Sequence, residues 1–189
     1  LPTPSGKFEI FSEVIEGFGY DDCPGHPVWQ EPAEWLGSPA TSKWPLHMIS
    51  NQPKHKLHAQ LDFVGPSLAA KRMGHEIVLL SLRDAETRDI FDGDVVRIFN
   101  SRGATLAVAA PNDGIRDGVL QLPTGAWFDP QDWSISGSLE RHGNPNVLTL
   151  DKGTSCLGQG PISHTTLVEI EKYLDGSIVP QPYLVPKIL

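Results

Sequence analysis

A chain of 189 residues with a net charge of −8 is long enough to bury a sizeable core and too acidic to hold nucleic acid by bulk electrostatics. Its 39% hydrophobic and 20% charged residues are those of a globular protein, and no apolar run approaches the roughly 20 residues that span a bilayer. Cys23 and Cys156 fit neither a zinc nor an iron–sulfur spacing, which excludes a cysteine-bound metal framework and predicts two reduced thiols, Cys156 as a small buried residue.

Residues 1–45 read as an extended arm. The opening "LPTPSGKFEIFSE" resembles the interior of a longer chain, and Lys7–Ser12 predicts one short strand. The Pro-, Gly- and Trp-rich stretch that follows predicts irregular backbone lying on a surface, anchored by Trp29, Trp35 and Trp44. The organised part begins at residue 46, within "PLHMISN" (residues 45–51), a strand. "LDFVGPSLAAKRMG" predicts a short helix, "HEIVLLS" a strand, and "SLRDAETRDI" a helix with Ser81 as its N-cap. Asp94–Phe99 and Ala104–Ala110 flank "NSRG" and predict a β-hairpin, with Val95, Val96, Ile98 and Phe99 filling the interior. "GVLQLPTG", "NPNVLTLDKGTS" and "HTTLVEIEKY" predict three more strands, and a Pro-rich tail occupies 175–189. Short strands with a few small helices point to a mainly β fold, a compact barrel with insertions.

Three loops carry chemistry. "SNQPKHKLHAQL" places Ser50, Asn51 and Gln52 at a strand end, where a barrel presents loops to ligands, and follows them with Lys54, His55, Lys56 and His58. It admits three readings: a histidine metal site with His47, an anion or nucleotide grip, or a solvated basic loop. The metal reading lacks ligands, since Asp62 is the one carboxylate close by. In "RHGNPNVLTLDKGTS", Pro145 constrains the backbone between Asn144 and Asn146, which predicts either a turn or a pair of amides held for a ligand. In "LGQG", Gln159 lies between glycines that let a ligand approach the backbone. "LPTGAWFDP" ends in a Gly turn where Trp127 packs the barrel end or lines a channel. Neither a P-loop nor a Ser–His–Asp order occurs.

Taken in order, "TPSGKFEIFSE", "NQPKHKLHAQL", "RDAETRDIFDGDVVRIFNSRG", "GAWFDP", "RHGNPNVLTLDKGTS", "LGQG" and "HTTLVEIEKY" resemble the C-terminal domain of the molybdopterin oxidoreductases of the DMSO reductase family, in the biotin sulfoxide and trimethylamine N-oxide reductase branch. The resemblance implies a double-psi β-barrel over 46–174 that binds a molybdopterin guanine dinucleotide. It also implies a parent enzyme that reduces S-oxides or N-oxides with a bis(molybdopterin guanine dinucleotide) molybdenum cofactor, whose protein ligand to the metal lies in upstream catalytic domains. This chain alone is then expected to be inactive, without nucleic acid or a membrane span, with the cytoplasm as its compartment and the periplasm as the alternative.

The same resemblance implies cofactor contacts at Ser50, Asn51, Gln52, Lys56, Leu57, His58, Gln60, Thr124, His142, Asn144, Asn146 and Gln159. Relatives carry Arg at the position of Lys56, and Lys makes no planar two-pronged contact, only a point charge beside phosphate. One fold hosts many functions, so a double-psi barrel used as a non-catalytic binding module is the competing expectation. Convergence of the Gln60, Asn146 and Gln159 amides on one groove separates the two.

Overall fold

A computed structural model describes residues 1–176 and 178–184; the last five positions of the tail, 185–189, and Ser177 lie outside the described residues. Among the described residues, six strands close into a barrel in the order β1-β5-β2-β4-β3-β6, with two short α-helices in the connections and a third ahead of β1. The strands are β1 (Leu46–Ile49), β2 (Ile77–Leu80), β3 (Val95–Phe99), β4 (Ala104–Pro111), β5 (Val119–Gln121) and β6 (Leu167–Lys172). β1 runs parallel to β5 and β2 parallel to β4, and the other neighbours are antiparallel. These crossed parallel pairs belong to a double-psi β-barrel.

The strand pattern explains the core. In β3, Val96 and Ile98 point inward and are fully buried, while Val95, Arg97 and Phe99 alternate to the outside. Val95 and Phe99 therefore do not fill the interior as expected; the period of two allows only every second side chain in. Phe99 instead receives the edge of Trp44 at 5.7 Å. The expected hairpin forms, with Phe99 opposite Ala104. Gly103 sits at its turn because a Cβ there would lie 2.8 Å from the Val147 carbonyl oxygen. Ser81 caps α3 (Leu82–Glu86), its hydroxyl accepting from the Asp84 amide at 3.0 Å. The helix expected after residue 61 is α2 (Gly65–Ala69).

Two expected strands do not form. Residues 7–12 find no partner strand among the described residues, and Phe8 stands 90% exposed; the ordered piece there is instead α1 (Glu13–Glu16), capped by Ser12. A strand exists through its ladder, so β propensity without a partner yields none. After Asn144 the chain makes a 3-10 turn over Pro145–Val147, because proline at the first position suits a helical turn and the Asn144 side chain accepts from the Asn146 amide. Of the three expected anchors, Trp44 is packed, whereas Trp29 is 80% exposed.

The chain forms two compact units, one of Leu1–Ala33 with Leu150–Ile162, the other of Glu34–Thr149 with Ser163–Leu189. In the smaller unit, Ser12 donates its amide to the Gly25 carbonyl at 2.6 Å and the Asp22 carboxylate accepts from the Cys156 amide at 2.9 Å. Cys156 is exposed rather than buried, its loop held by the Asp22 carboxylate at the Cys156 amide and by the Gln159 side-chain amide at the Cys156 carbonyl. The larger unit contains the barrel and its loops.

Candidate functional site

Because β1 and β5 are parallel, their C-terminal ends leave the barrel side by side. The register continues past the strands: Leu122 donates to the Ile49 carbonyl at 3.0 Å and Thr124 to the Asn51 carbonyl at 3.0 Å. The loops 50–62 and 122–128 are thereby zipped together at one rim. They approach so closely that a Cβ on Gly125 (φ +95°) would fall 1.7 Å from the His58 carbonyl oxygen. Only glycine lets these backbones meet.

The first loop is internally braced. Gln52 donates to the Lys56 carbonyl at 2.5 Å and accepts from the His58 amide at 3.3 Å, so its side chain is spent on the loop. Pro53 is buried and Ser50 half-buried. Leu57 and Gln60 close a tight turn through their backbones, with His58 at φ +51° and Leu61 at φ +67°. This turn projects Leu57, His58, Ala59 and Gln60 outward, all exposed. Non-glycine residues held in the left-handed region store strain, a recurrent property of ligand-contacting loops.

Lys56 is the principal departure from the sequence expectation. Its ammonium does not face solvent at a phosphate position; it is buried between Asp62 (2.8 Å) and Glu76, and Lys71 pairs with the same two carboxylates, at 2.9 Å to Asp62. The four charges cancel. Burial would lower the Lys56 pKa, but the Asp62 and Glu76 carboxylates more than offset it, and the net direction is up. Burial would likewise raise Asp62, but the Lys56 and Lys71 ammoniums hold it at about 2. The other Asp62 oxygen accepts from the Trp127 amide at 3.2 Å and from the Tyr183 hydroxyl at 3.0 Å.

A second hub orders the loop 140–146. Glu140 is fully buried, and its carboxylate accepts from the amides of Asp129 (3.2 Å), His142 (2.9 Å), Gly143 (2.9 Å) and Asn144 (2.8 Å) and from the Thr105 hydroxyl. His142 is also fully buried: its Nδ1 faces the Trp127 carbonyl at 2.9 Å, which makes Nδ1 the protonated nitrogen of the neutral ring. It does not lie open above a ligand. Burial, reinforced by the Lys71 charge, depresses its pKa from 6.5 to about 4. Burial lowers His75 as well.

The sign for stability is direct. Between pH 6.5 and 4 the unfolded chain binds the His142 proton more tightly than the folded one, so this contribution is fully present above pH 6.5 and is lost as pH falls towards 4. The shift from 6.5 to about 4 corresponds to about 3 kcal/mol. Denaturant midpoints measured from pH 7 to 4 should fall along this slope, and His142→Gln should flatten it.

The remaining expected contacts divide. Asn144 is buried with its side chain capping the turn, Asn146 is exposed, and Thr124 is half-buried beside Asn51. Gln159 belongs to the smaller unit, where its amide donates to the Ser155 and Cys156 carbonyls at 3.0 and 3.2 Å; Gln60 and Asn146 belong to the barrel unit. Among the described residues no group of three or more His, Cys, Asp or Glu is placed to hold a metal, and His47 is engaged with the His164 carbonyl at 2.6 Å. Reading the sequence missed Lys71, Glu76, Glu140 and Tyr183, and noted Asp62 only as a metal ligand. The one available signal was an acid directly before "RHGNP", a run able to turn several amides onto it.

One polar atom at this rim stands apart. Asn51 Oδ1, on the first loop beside Thr124, is buried and has no hydrogen-bond partner. Buried acceptors are paired in the great majority of cases, so an orphan at a strand-end rim marks a position for a ligand N–H. A guanine or pterin ring presents N–H groups of that kind, and the exposed amide of Gln60 on the same loop adds donors and an acceptor. The residues present therefore fit a pterin dinucleotide.

The molydopterin dinucleotide binding domain matches residues 46–167, the barrel and its rim loops. The chain belongs to this family. As a molydopterin dinucleotide binding domain it is 46% identical over 99% of its length to a dimethyl sulfoxide/trimethylamine N-oxide reductase of Cereibacter sphaeroides and 49% identical over 92% to a biotin sulfoxide reductase of the same organism. It is 48% identical over 92% to trimethylamine-N-oxide reductase 1 of Escherichia coli K12. The domain spans 23%, 23% and 21% of these relatives' own lengths. Acetylene hydratase from Pelobacter acetylenicus shares its fold, with a TM-score of 0.72 at 20% identity over 90% of this chain and 24% of that one.

Proposed function

We propose that this domain works within a molybdenum oxidoreductase that reduces S-oxides or N-oxides, holding one molybdopterin guanine dinucleotide at the rim formed by residues 50–62, 122–128 and 140–146. The buried, unpartnered Asn51 Oδ1 carries the reading, as an acceptor left over at the strand-end rim for a ring N–H. The likeness to S-oxide and N-oxide reductases over nearly the whole chain supports the reaction class. When bound, the bis(molybdopterin guanine dinucleotide) molybdenum cofactor supplies oxygen-atom transfer, and the domain supplies position. Asn51 accepts a ring N–H, Ser50, Gln60, Thr124 and Asn146 offer polar contacts around it, and Leu57 and His58 flank the ligand from the projecting turn. Lys56, Gln52, His142 and Asn144 act from behind by holding these loops. In the parent, residues 1–45 link the barrel to the catalytic domains. The cytoplasm as compartment, with the periplasm as the alternative, is part of the same proposal.

The test is Asn51→Leu. An apolar side chain of similar shape removes a buried unsatisfied group and should stabilise the fold by about 1 kcal/mol. It should also weaken GDP binding at least tenfold by calorimetry. A variant that binds GDP like the wild type removes Asn51 from the ligand.

A further inference from the structure

The family match ends at residue 167, yet the rim that carries the ligand loops is completed by residues beyond it. After β6 the chain turns back over this end of the barrel. Ile178 presents its carbonyl to His75 Nε2 at 3.1 Å, and the Pro180 ring lies 3.3 Å from the place a Cβ would take on Gly74. Gln181 donates its amide to Asp129 Oδ2 at 2.8 Å. Each contact falls on a segment adjoining the rim: His75 precedes Glu76 of the charge cluster, and Asp129 follows the 122–128 loop.

Tyr183 ends this strap at the centre of the site. Its hydroxyl donates to Asp62, reaching Oδ2 and the backbone carbonyl at 3.0 Å each, and stands 3.3 Å from His142 Nε2. Its ring meets the edges of Trp127 and His142 at 5.5 Å in both cases. Asp62 Oδ2 thus gathers one bond from the 122–128 loop, through the Trp127 amide, and one from the strap, while Oδ1 gathers both lysines. A carboxylate so shared fixes the spacing of the elements that donate to it.

We propose that the segment 178–183 is a working part of the ligand-binding rim, and that Tyr183 is a positioning residue that locks Asp62, and through it the loops 50–62 and 122–128, at the separation that receives the nucleotide. This rests on the function proposed above. Tyr183 touches no ligand itself. It acts through Asp62, whose two lysine partners remain when the hydroxyl is removed, so the strap sets loop position while the buried cluster holds the fold.

The full chain with Tyr183→Phe, which keeps the ring and deletes the hydroxyl, separates these roles. Hydrogen exchange of the Trp127 amide and of amides 57–62 should accelerate at least fivefold, while the β3–β4 ladder amides exchange as in the wild type. GDP affinity by calorimetry should fall about fivefold with little change in thermal midpoint, and Tyr183→Ala should enlarge both effects. Wild-type exchange in these loops, or wild-type GDP affinity in both variants, overturns the proposal. If the wild-type chain takes up no GDP at millimolar concentration, the ligand reading fails. The exchange data then decide the positioning role alone: faster loops uphold it and unchanged loops end it.

Discussion

Lys56→Met should destabilise the domain by about 3–5 kcal/mol, the usual consequence of removing one partner from a buried ion pair. In a chain of this size that lowers the thermal midpoint by about 6–20 °C. The expectation follows from burial: the Lys56 side chain is fully enclosed and bonded to both Asp62 and Glu76. Without it, two carboxylates share the single ammonium of Lys71 and one of them must take up a proton or separate. A lysine standing at a surface phosphate site would behave otherwise, with a change within about 0.5 kcal/mol and a salt-dependent loss of ligand affinity. Urea unfolding distinguishes the two outcomes. The pair Lys56→Met and Glu76→Gln sharpens it: the double variant removes one charge of each sign and should lose less than the sum of the single losses.

Glu140→Ala is expected to cost about 4–5 kcal/mol, at the exceptional end for one substitution, because it strands several buried donors at once. The amides of Asp129, His142, Gly143 and Asn144 and the Thr105 hydroxyl all lose their acceptor. Glu140→Gln should fall between, keeping one acceptor oxygen and turning an NH2 group toward the amides. Denaturant unfolding measures both, and exchange of the 142–144 amides should rise first. The pH dependence of this residue opposes that of His142 and Asp62. Burial raises the Glu140 pKa, against the hydrogen bonds that lower it, so its protonation favours the fold below its ordinary value of 4.5 and that contribution fades as pH rises through the folded pKa. The Asp62 contribution is present above 3.8 and disappears as pH falls towards 2.

These two residues show how far the sequence could be read. The strand-end position of "SNQPKHKLHAQL" is legible in the sequence: Leu46–Ile49 forms β1 and the loop follows directly. Its cations read as outward-facing because the sequence shows charge without direction. Whether Lys56 meets a phosphate or two carboxylates depends on where Asp62, Lys71 and Glu76 fall, and they come from a loop, the end of a helical segment and the entry to β2. Glu140 carried no signal of its own beyond the Gly- and Pro-rich run after it.

The sequence by itself determined the local elements and the family. The Ser81 cap, the hairpin around "NSRG" and the apolar strand runs are set by neighbours within a few residues, and the order of motifs along the chain survives without coordinates. Failures arose where structure needs a distant partner. Residues 7–12 have strand composition and no ladder, and "NPNVLTL" has a β-rich end but starts with a proline that turns it. Only the tertiary structure decided which side chains of the rim remain for a ligand. Lys56, Gln52 and Asn144 are consumed in holding the loops, Asn51 Oδ1 is left without a partner, and Tyr183 arrives from the far end of the chain to complete the charge cluster. Each of these outcomes is a competition for hydrogen bonds among groups that only the closed barrel brings within reach, and a linear order of residues holds no record of who wins it.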